Sequence, residues 1–341
     1  NRPAKGSLNH HSFFAVKAEY PDGSAVTKVL QGDWTKDLTG KYSQTRYEGF
    51  GFGPNNGTMC GFPHFRKVRF KGKFPIATLT FEDEAFPAKV VMKAFNPFIP
   101  LNADDSSLPA AFFDISIYSR EEGVKYTVIL SVQNPFPHTL NYKRKHDRYT
   151  AVTLQHAGLT QEDRDYGDLT VAVDCKDGIY QEYWYRGRWM DHVMTFWHEL
   201  ETDANGNVIL PDGTVIGPDG QVIGVMGTTT YENRTYEIPG YNDSCAVGTF
   251  SDSCSVGAAA VVEKNQKHNF RFTLSWNVPN CYNYWKPWQD ENGKDIMWKN
   301  HYATRFEDSA ASSFYCLDHW DQLYQKTNQF CNSIHASTLD K

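Results

Sequence analysis

The sequence contains no Cys-x-x-Cys pair, no apolar run that approaches a membrane span, and no basic run longer than Lys143-Arg144-Lys145. Each absence narrows the range of functions. The seven cysteines are odd in number and scattered along 341 residues. They read as reduced thiols rather than a disulfide framework, which makes a cytoplasmic location the expectation. Without about 20 consecutive apolar residues, no transmembrane helix is expected. A net charge of −6, with no cluster able to neutralise several phosphates, argues against a nucleic-acid partner. The start, Asn1-Arg2-Pro3, shows neither a signal peptide nor an initiator methionine, so the chain is expected to begin inside a longer protein.

Several catalytic signatures are missing as well. Gly49-Phe50-Gly51-Phe52-Gly53-Pro54 lacks the lysine and Ser/Thr of a phosphate-binding loop and reads as a loop crossing a sheet edge. No G-x-S-x-G elbow occurs, and no cysteine stands in a catalytic context. His10-His11, Cys60 with His64, and His192 with His198 lack the four-ligand spacing of a zinc site, so no metal or other cofactor is expected.

What the sequence does contain is strand alternation. In Ala111 to Tyr118, Ala111, Phe113, Ile115 and Ile117 oppose Asp114, Ser116 and Tyr118, and Val124 to Gln133 repeats the pattern. With Ile76 to Phe81 and Lys89 to Phe95 upstream, four sequential strands are expected as a meander, its last two joined as a hairpin through Arg120 to Gly123. His10 to Tyr20 and Ala25 to Leu30 form a further expected hairpin about Pro21-Asp22-Gly23. Asp168 to Asp174 and Asn269 to Pro279 are later strands of the same kind. Pro211 to Gly217 and Pro218 to Gly224 are a short internal repeat, with a weaker copy at Asn205 to Ile209, expected as a projecting hairpin.

Two segments have helical spacing instead. Trp189, Val193, Phe196, Trp197 and Leu200 make Asp191 to Leu200 a short amphipathic helix. Its tryptophans either pack on the sheet or, with Trp184, stack on sugars, and the spacing favours burial. From Ser309, Leu317, Trp320, Tyr324, Thr327, Cys331 and Ile334 recur at three and four residues as one helix to about Ser333, with Asp308 as its N-cap.

The run Phe74-Pro75-Ile76-Ala77-Thr78-Leu79-Thr80-Phe81, then Ala94-Phe95-Asn96-Pro97-Phe98-Ile99-Pro100, then Asp104-Asp105-Ser106-Ser107-Leu108-Pro109 closely resembles the N-terminal domain of glycoside hydrolase family 116. Asn1 to Gly6, Leu274 to Pro279 and His301 to Asp308 extend the resemblance in the same order. It implies an all-β fold: a large two-sheet β-sandwich of the supersandwich kind over 1–308, with a short helical insertion. A C-terminal α-helical linker over 309–341 would lead to an (α/α)6 catalytic barrel beyond this chain. The family reaction is retaining hydrolysis of β-glucosides or glucosylceramide, with both catalytic carboxylates in the barrel. No catalytic residue is therefore assigned here, and Glu82-Asp83-Glu84, Asp104-Asp105, Asp163-Arg164-Asp165 and Asp290-Glu291 read as solvated turn carboxylates.

The expected partner is that barrel, with glycoside substrate at the cleft edge and a dimer through the C-terminal helix as further candidates. Arg305, Asp308, Trp320 and Tyr324 are the domain-interface candidates. Trp285, Trp288 and Trp189 are the sugar-contact candidates, and they carry the competing expectation of an independent carbohydrate-binding module.

Overall fold

The computed structural model describes residues 11–32, 59, 61–136, 138–184, 191–201, 208–209, 214–216, 222–225, 252–283 and 285–338. The loop expected between Gly40 and Pro63 falls almost wholly outside them, as does Trp189. Two large sheets face each other. One contains β1 (Phe13–Glu19), β2 (Ala25–Gly32), β3 (His64–Phe65), β8 (Val124–Gln133), β12 (Ile179–Gln181) and β16 (Ser253–Val262) in the order β12-β16-β8-β1-β2-β3. The other contains β4 (Lys67–Lys73), β5 (Ile76–Glu82), β6 (Ala88–Phe95), β7 (Ala110–Ser119), β9 (Thr139–Arg144), β10 (Thr150–His156), β11 (Asp168–Val173) and β17 (Lys267–Asn277). Its order is β4-β5-β6-β7-β17-β11-β10-β9. Pairing within these sheets is antiparallel except for β2 with β3.

Alternation explains the layering. Val16, Val128 and Leu130 from the first sheet meet Val90, Ile115, Ile117 and Phe272 from the second in a dry core. The outer faces are covered too. Helix α2 (Asp191–Glu201) lays Val193, Phe196, Trp197 and Leu200 against Phe13, Ala15 and Ile129, so β1 is buried along its whole length. Trp184 stacks on Phe196 at 4.2 Å, and both Trp184 and Trp197 are buried, as helical spacing favoured. On the other side, α3 (Ser309–Asp318) and α4 (Trp320–His335) cover part of the eight-stranded sheet.

Three expectations change in the structure. The hairpin through Arg120 to Gly123 is instead a crossing between sheets: β7 pairs with β6 and β17, whereas β8 pairs with β1 and β16. Each strand can then turn its apolar set toward the same core, and the crossing is fixed by the Tyr126 hydroxyl, which donates to the Pro87 carbonyl at 3.0 Å. The C-terminal helix is broken at His319, whose ring stacks on Tyr315 at 4.2 Å. The break turns the chain from β11 and β17 onto Phe95 and Phe112. Ile334 is 44% exposed rather than part of the buried stripe. The thiol of Cys331 donates to the carbonyl of Lys73 on edge strand β4, and Ile334 lies almost one turn farther on.

The repeat forms a three-stranded antiparallel sheet of β13 (Val208–Ile209), β14 (Thr214–Ile216) and β15 (Val222–Val225). Helix α3 approaches its sheet closely because its buried face is small and hydroxylated. Ser309 and Ser313 share hydrogen bonds with Thr170 and Thr273 at 2.7 and 2.6 Å. Hydroxyls on both surfaces satisfy each other where an unpaired buried polar group would be costly.

Candidate functional site

Strand β6 ends at Phe95, and the proline-punctuated segment that follows is held at its base by Asn96. That amide donates to the carbonyls of Leu108 and Ala110 at 3.1 and 2.7 Å. Inside the loop, the Ser106 hydroxyl accepts from the Ile99 amide and donates to the Ile99 carbonyl. Asn102 caps the single turn α1 (Ala103–Ser106) by accepting from the Asp105 amide at 3.0 Å. These bonds fix Asp104 and Asp105 on one side of the loop.

A distant segment meets them there. A 3-10 turn at His301–Thr304 places His301 Nε2 at 2.8 Å from the Asp104 carboxylate, and the Arg305 guanidinium donates to the Asp104 carbonyl. The hydrogen bond from His301 and then the Arg305 charge hold the Asp104 carboxyl below its usual range. Asp105 accepts from the Tyr315 hydroxyl on α3 at 3.1 Å. Asp308 caps α3 by accepting from the Ala311 amide at 2.7 Å and pairs with Arg144 at 2.8 Å. The buried Asp168 carboxylate takes the next free amide, that of Ser309, at 2.8 Å.

Beside this polar junction stands a group of aromatic side chains. Phe98 packs on Phe74 at 5.4 Å and on Phe330 of α4 at 4.9 Å, yet Phe74 is 60% exposed and Phe98 is open to solvent. Leu101 and Ile334 are exposed too. Large apolar side chains exposed together, rather than singly, mark contact surfaces. The interface candidates thus divide. Arg305 and Asp308 lie in the polar junction, while Trp320 and Tyr324 pack on Phe95 and are committed to the domain's own interior. The sequence reading missed Phe74, Phe98 and Phe330, whose aromatic character is visible but whose exposure is not.

The remaining candidates lie on the segment between β18 (Asn280–Cys281) and β19 (Trp298–Lys299). Asp290 accepts from the Asn292 and Lys294 amides to close a turn with Gly293 at φ 79°. Trp285 is 83% exposed and Trp288 59%. Lys294, Asp295 and Met297 line one side of an open cleft of about 780 Å³, with His156 and Asp163 among the residues opposite.

Asp163, Asp165 and Asp290 do not have the electrostatics of a general acid, whose pKa must be raised toward working pH. Hydrogen bonds from Thr160 lower the pKa of Asp163, those from Arg164 lower Asp165, and backbone amides of Lys294 and Asn292 lower Asp290. Burial raises Asp114 and Asp174, but nearby Arg271 works against the rise in both.

Among known families, the one described as beta-glucosidase 2, glycosyl-hydrolase family 116 N-term matches residues 4–323. No curated protein matches. One similar solved structure is a putative kojibiose phosphorylase from human microbiome, 11% identical with a TM-score of 0.37, covering 80% of this chain and 26% of that one. The chain therefore spans about a quarter of that protein's length. On the family match over nearly its whole length, this chain belongs to the N-terminal domain family of glycosyl-hydrolase family 116.

Proposed function

We propose that this chain is the non-catalytic sandwich of a β-glucosidase or glucosylceramidase-like hydrolase. Residues 1–308 form the sandwich and 309–341 the helical linker, and the end of the helix-bearing face beside Phe74, Phe98 and the Asp104–His301 pair holds the (α/α)6 catalytic barrel. The observation that carries this reading is the convergence of Ala94 to Pro109 with His301 to Asp308 beside the exposed Phe74 and Phe98 and the half-buried Phe330. Full burial of an exposed ring contributes roughly 1.5 to 3 kcal/mol and these rings add the part still open to water, while the Asp104–His301 pair beside them supplies a polar margin to an apolar centre. Barrel docking on this face also shapes one side of the active-site cleft, with glycoside contact confined to its edge.

Two results are expected together. The chain alone gives no turnover of an aryl β-glucoside, and Phe98→Asp with Phe330→Asp weakens its association with a separately produced barrel at least tenfold. Turnover lost on mutating a carboxylate of this chain would refute the non-catalytic assignment. Unchanged association would refute the docking face.

Exposed Trp285 and Trp288, on the segment that lines the open cleft, favour a second reading in which this domain binds glycan by itself. Calorimetric titration with gluco-oligosaccharides distinguishes the two. Binding abolished by Trp285→Ala or Trp288→Ala supports the module, and absence of heat supports the structural role.

A further inference from the structure

Among the described residues, α3 and α4 cover only part of the outer face of the eight-stranded sheet, and the part they leave open is basic. Strand registers place the side chains in three rows across β4-β5-β6-β7-β17. Nearest α4 runs Lys71, Thr78, Lys93, Asp114 and Arg271. Beyond it runs Arg69, Thr80, Val91, Ser116 and Asn269. In the outermost row Lys67 opposes Glu82, and Tyr118 lies between Lys89 and Lys267. The opposite residues of these strands, Val90, Ile115, Ile117 and Phe270 among them, are in the core, so the rows share the outer face.

Part of this charge is internally matched. Arg69 pairs with Glu82 at 2.7 Å, Arg271 with Asp321 at 2.6 Å, and Lys93 donates to the Tyr324 hydroxyl at 3.0 Å. Among the described residues, Lys67, Lys71, Lys89 and Lys267 have no carboxylate within ion-pair distance. Lysines on edge strand β4 have an ordinary role, because they discourage pairing with another sheet. That does not account for Lys89 and Lys267, which stand on interior strands with their ammonium groups 4.6 and 5.6 Å from the Tyr118 ring. With strands about 4.8 Å apart, the open face measures roughly 19 Å by 13 Å. The chain as a whole carries −6, so the rest of it is more acidic than this face.

We infer that this open basic sheet face rests on an anionic lipid bilayer surface. The occupant follows from shape and sign. RNA is read on an open sheet by two or three stacking aromatics, whereas these rows carry Tyr118 alone, flanked by lysines, and match a plane of headgroups. Clusters of four to eight lysines and arginines are the usual scale of recognition of anionic lipid, and Tyr118 supplies an aromatic of the kind enriched at the bilayer interface. The acidic remainder of the chain is repelled by the same surface, which selects one orientation.

The test is co-sedimentation of the protein with phosphatidylcholine vesicles and with vesicles containing about 30 mol% phosphatidylserine, at low salt and near 1 M salt where charges are screened within roughly 3 Å. Binding is expected only with the anionic vesicles at low salt. Lys89→Ala with Lys267→Ala weakens it ~25-fold, at ~5-fold per cation. Lys67→Ala with Lys71→Ala acts similarly and keeps the test decisive if the first pair disturbs folding. Lys286→Ala with Lys294→Ala, on the segment after β18, leaves it unchanged. Equal binding to neutral vesicles, no binding to anionic ones, equal loss in the Lys286/Lys294 pair, or tighter binding of an RNA homopolymer than of anionic vesicles would each overturn the inference.

Discussion

Replacing Trp320 by alanine is expected to destabilise the chain by about 3 to 5 kcal/mol, the usual cost of truncating a buried tryptophan. The ring is 2% exposed. It packs 5.7 Å from Phe95 and 5.0 Å from Phe112, with the Arg271 guanidinium 5.4 Å over its face. No neighbouring element can close the space, because α4 is held at both ends of the contact. Asp321 pairs with Arg271 on one side, and Thr327 accepts from the Phe98 amide on the other. Arg305→Ala removes a partly exposed donor to Asp104 and is expected to cost no more than about 1 kcal/mol, as exposed charge pairs do. Urea denaturation with hydrogen exchange over 317–334 checks both. A larger effect from the arginine change would mean that charge, not hydrophobic packing, orders this segment.

The second large effect is expected at Asp83. Read from the sequence as a solvated turn carboxylate, it is instead buried and holds the Lys28 ammonium at 3.1 Å, while accepting from the Ala85 and Arg66 amides at 2.9 and 3.1 Å. Burial alone would raise its pKa, but those hydrogen bonds and the Lys28 charge together take it below its ordinary value. Asp83→Ala leaves the buried Lys28 ammonium with the His64 carbonyl at 3.0 Å but no countercharge, and strands two amides, an expected loss of about 3 to 5 kcal/mol. Asp83→Asn keeps an acceptor for the amides and loses less. The pH dependence has a definite sign. With a folded pKa below the unfolded one, the stabilisation is complete above the unfolded carboxylate range and is lost as pH falls through the folded pKa. Acid titration of wild-type stability should show that loss, and Asp83→Asn should remove that component. An unchanged acid limb in the variant would contradict the assignment.

Strands were legible because alternation is local, as in Val124 to Gln133, although both faces of that strand are buried, and the Asp308 cap was legible because capping chemistry is local. The crossing after β7 was not. A link as short as Arg120 to Gly123 serves a hairpin or an arch between sheets, and the choice lies in contacts such as Tyr126 to Pro87. The break at His319 carries no glycine or proline to announce it. Nor was the basic face readable, since its cations stand two or four apart on strands scattered between Lys67 and Arg271 and assemble only through sheet order. The site divides in the same way: the motifs at Ala94 to Pro109 and His301 to Asp308 were recognisable, but their meeting at Asp104 and His301 is tertiary.

The most direct test of the docking role is hydrogen exchange compared between this chain alone and the same chain joined to its catalytic barrel. The account predicts added protection over 96–104, 301–305 and 330–335, where the polar junction, Phe98 and Phe330 stand, with 285–297 unchanged. Added protection confined to 285–297, with the helix-bearing face exchanging as it does alone, would contradict it.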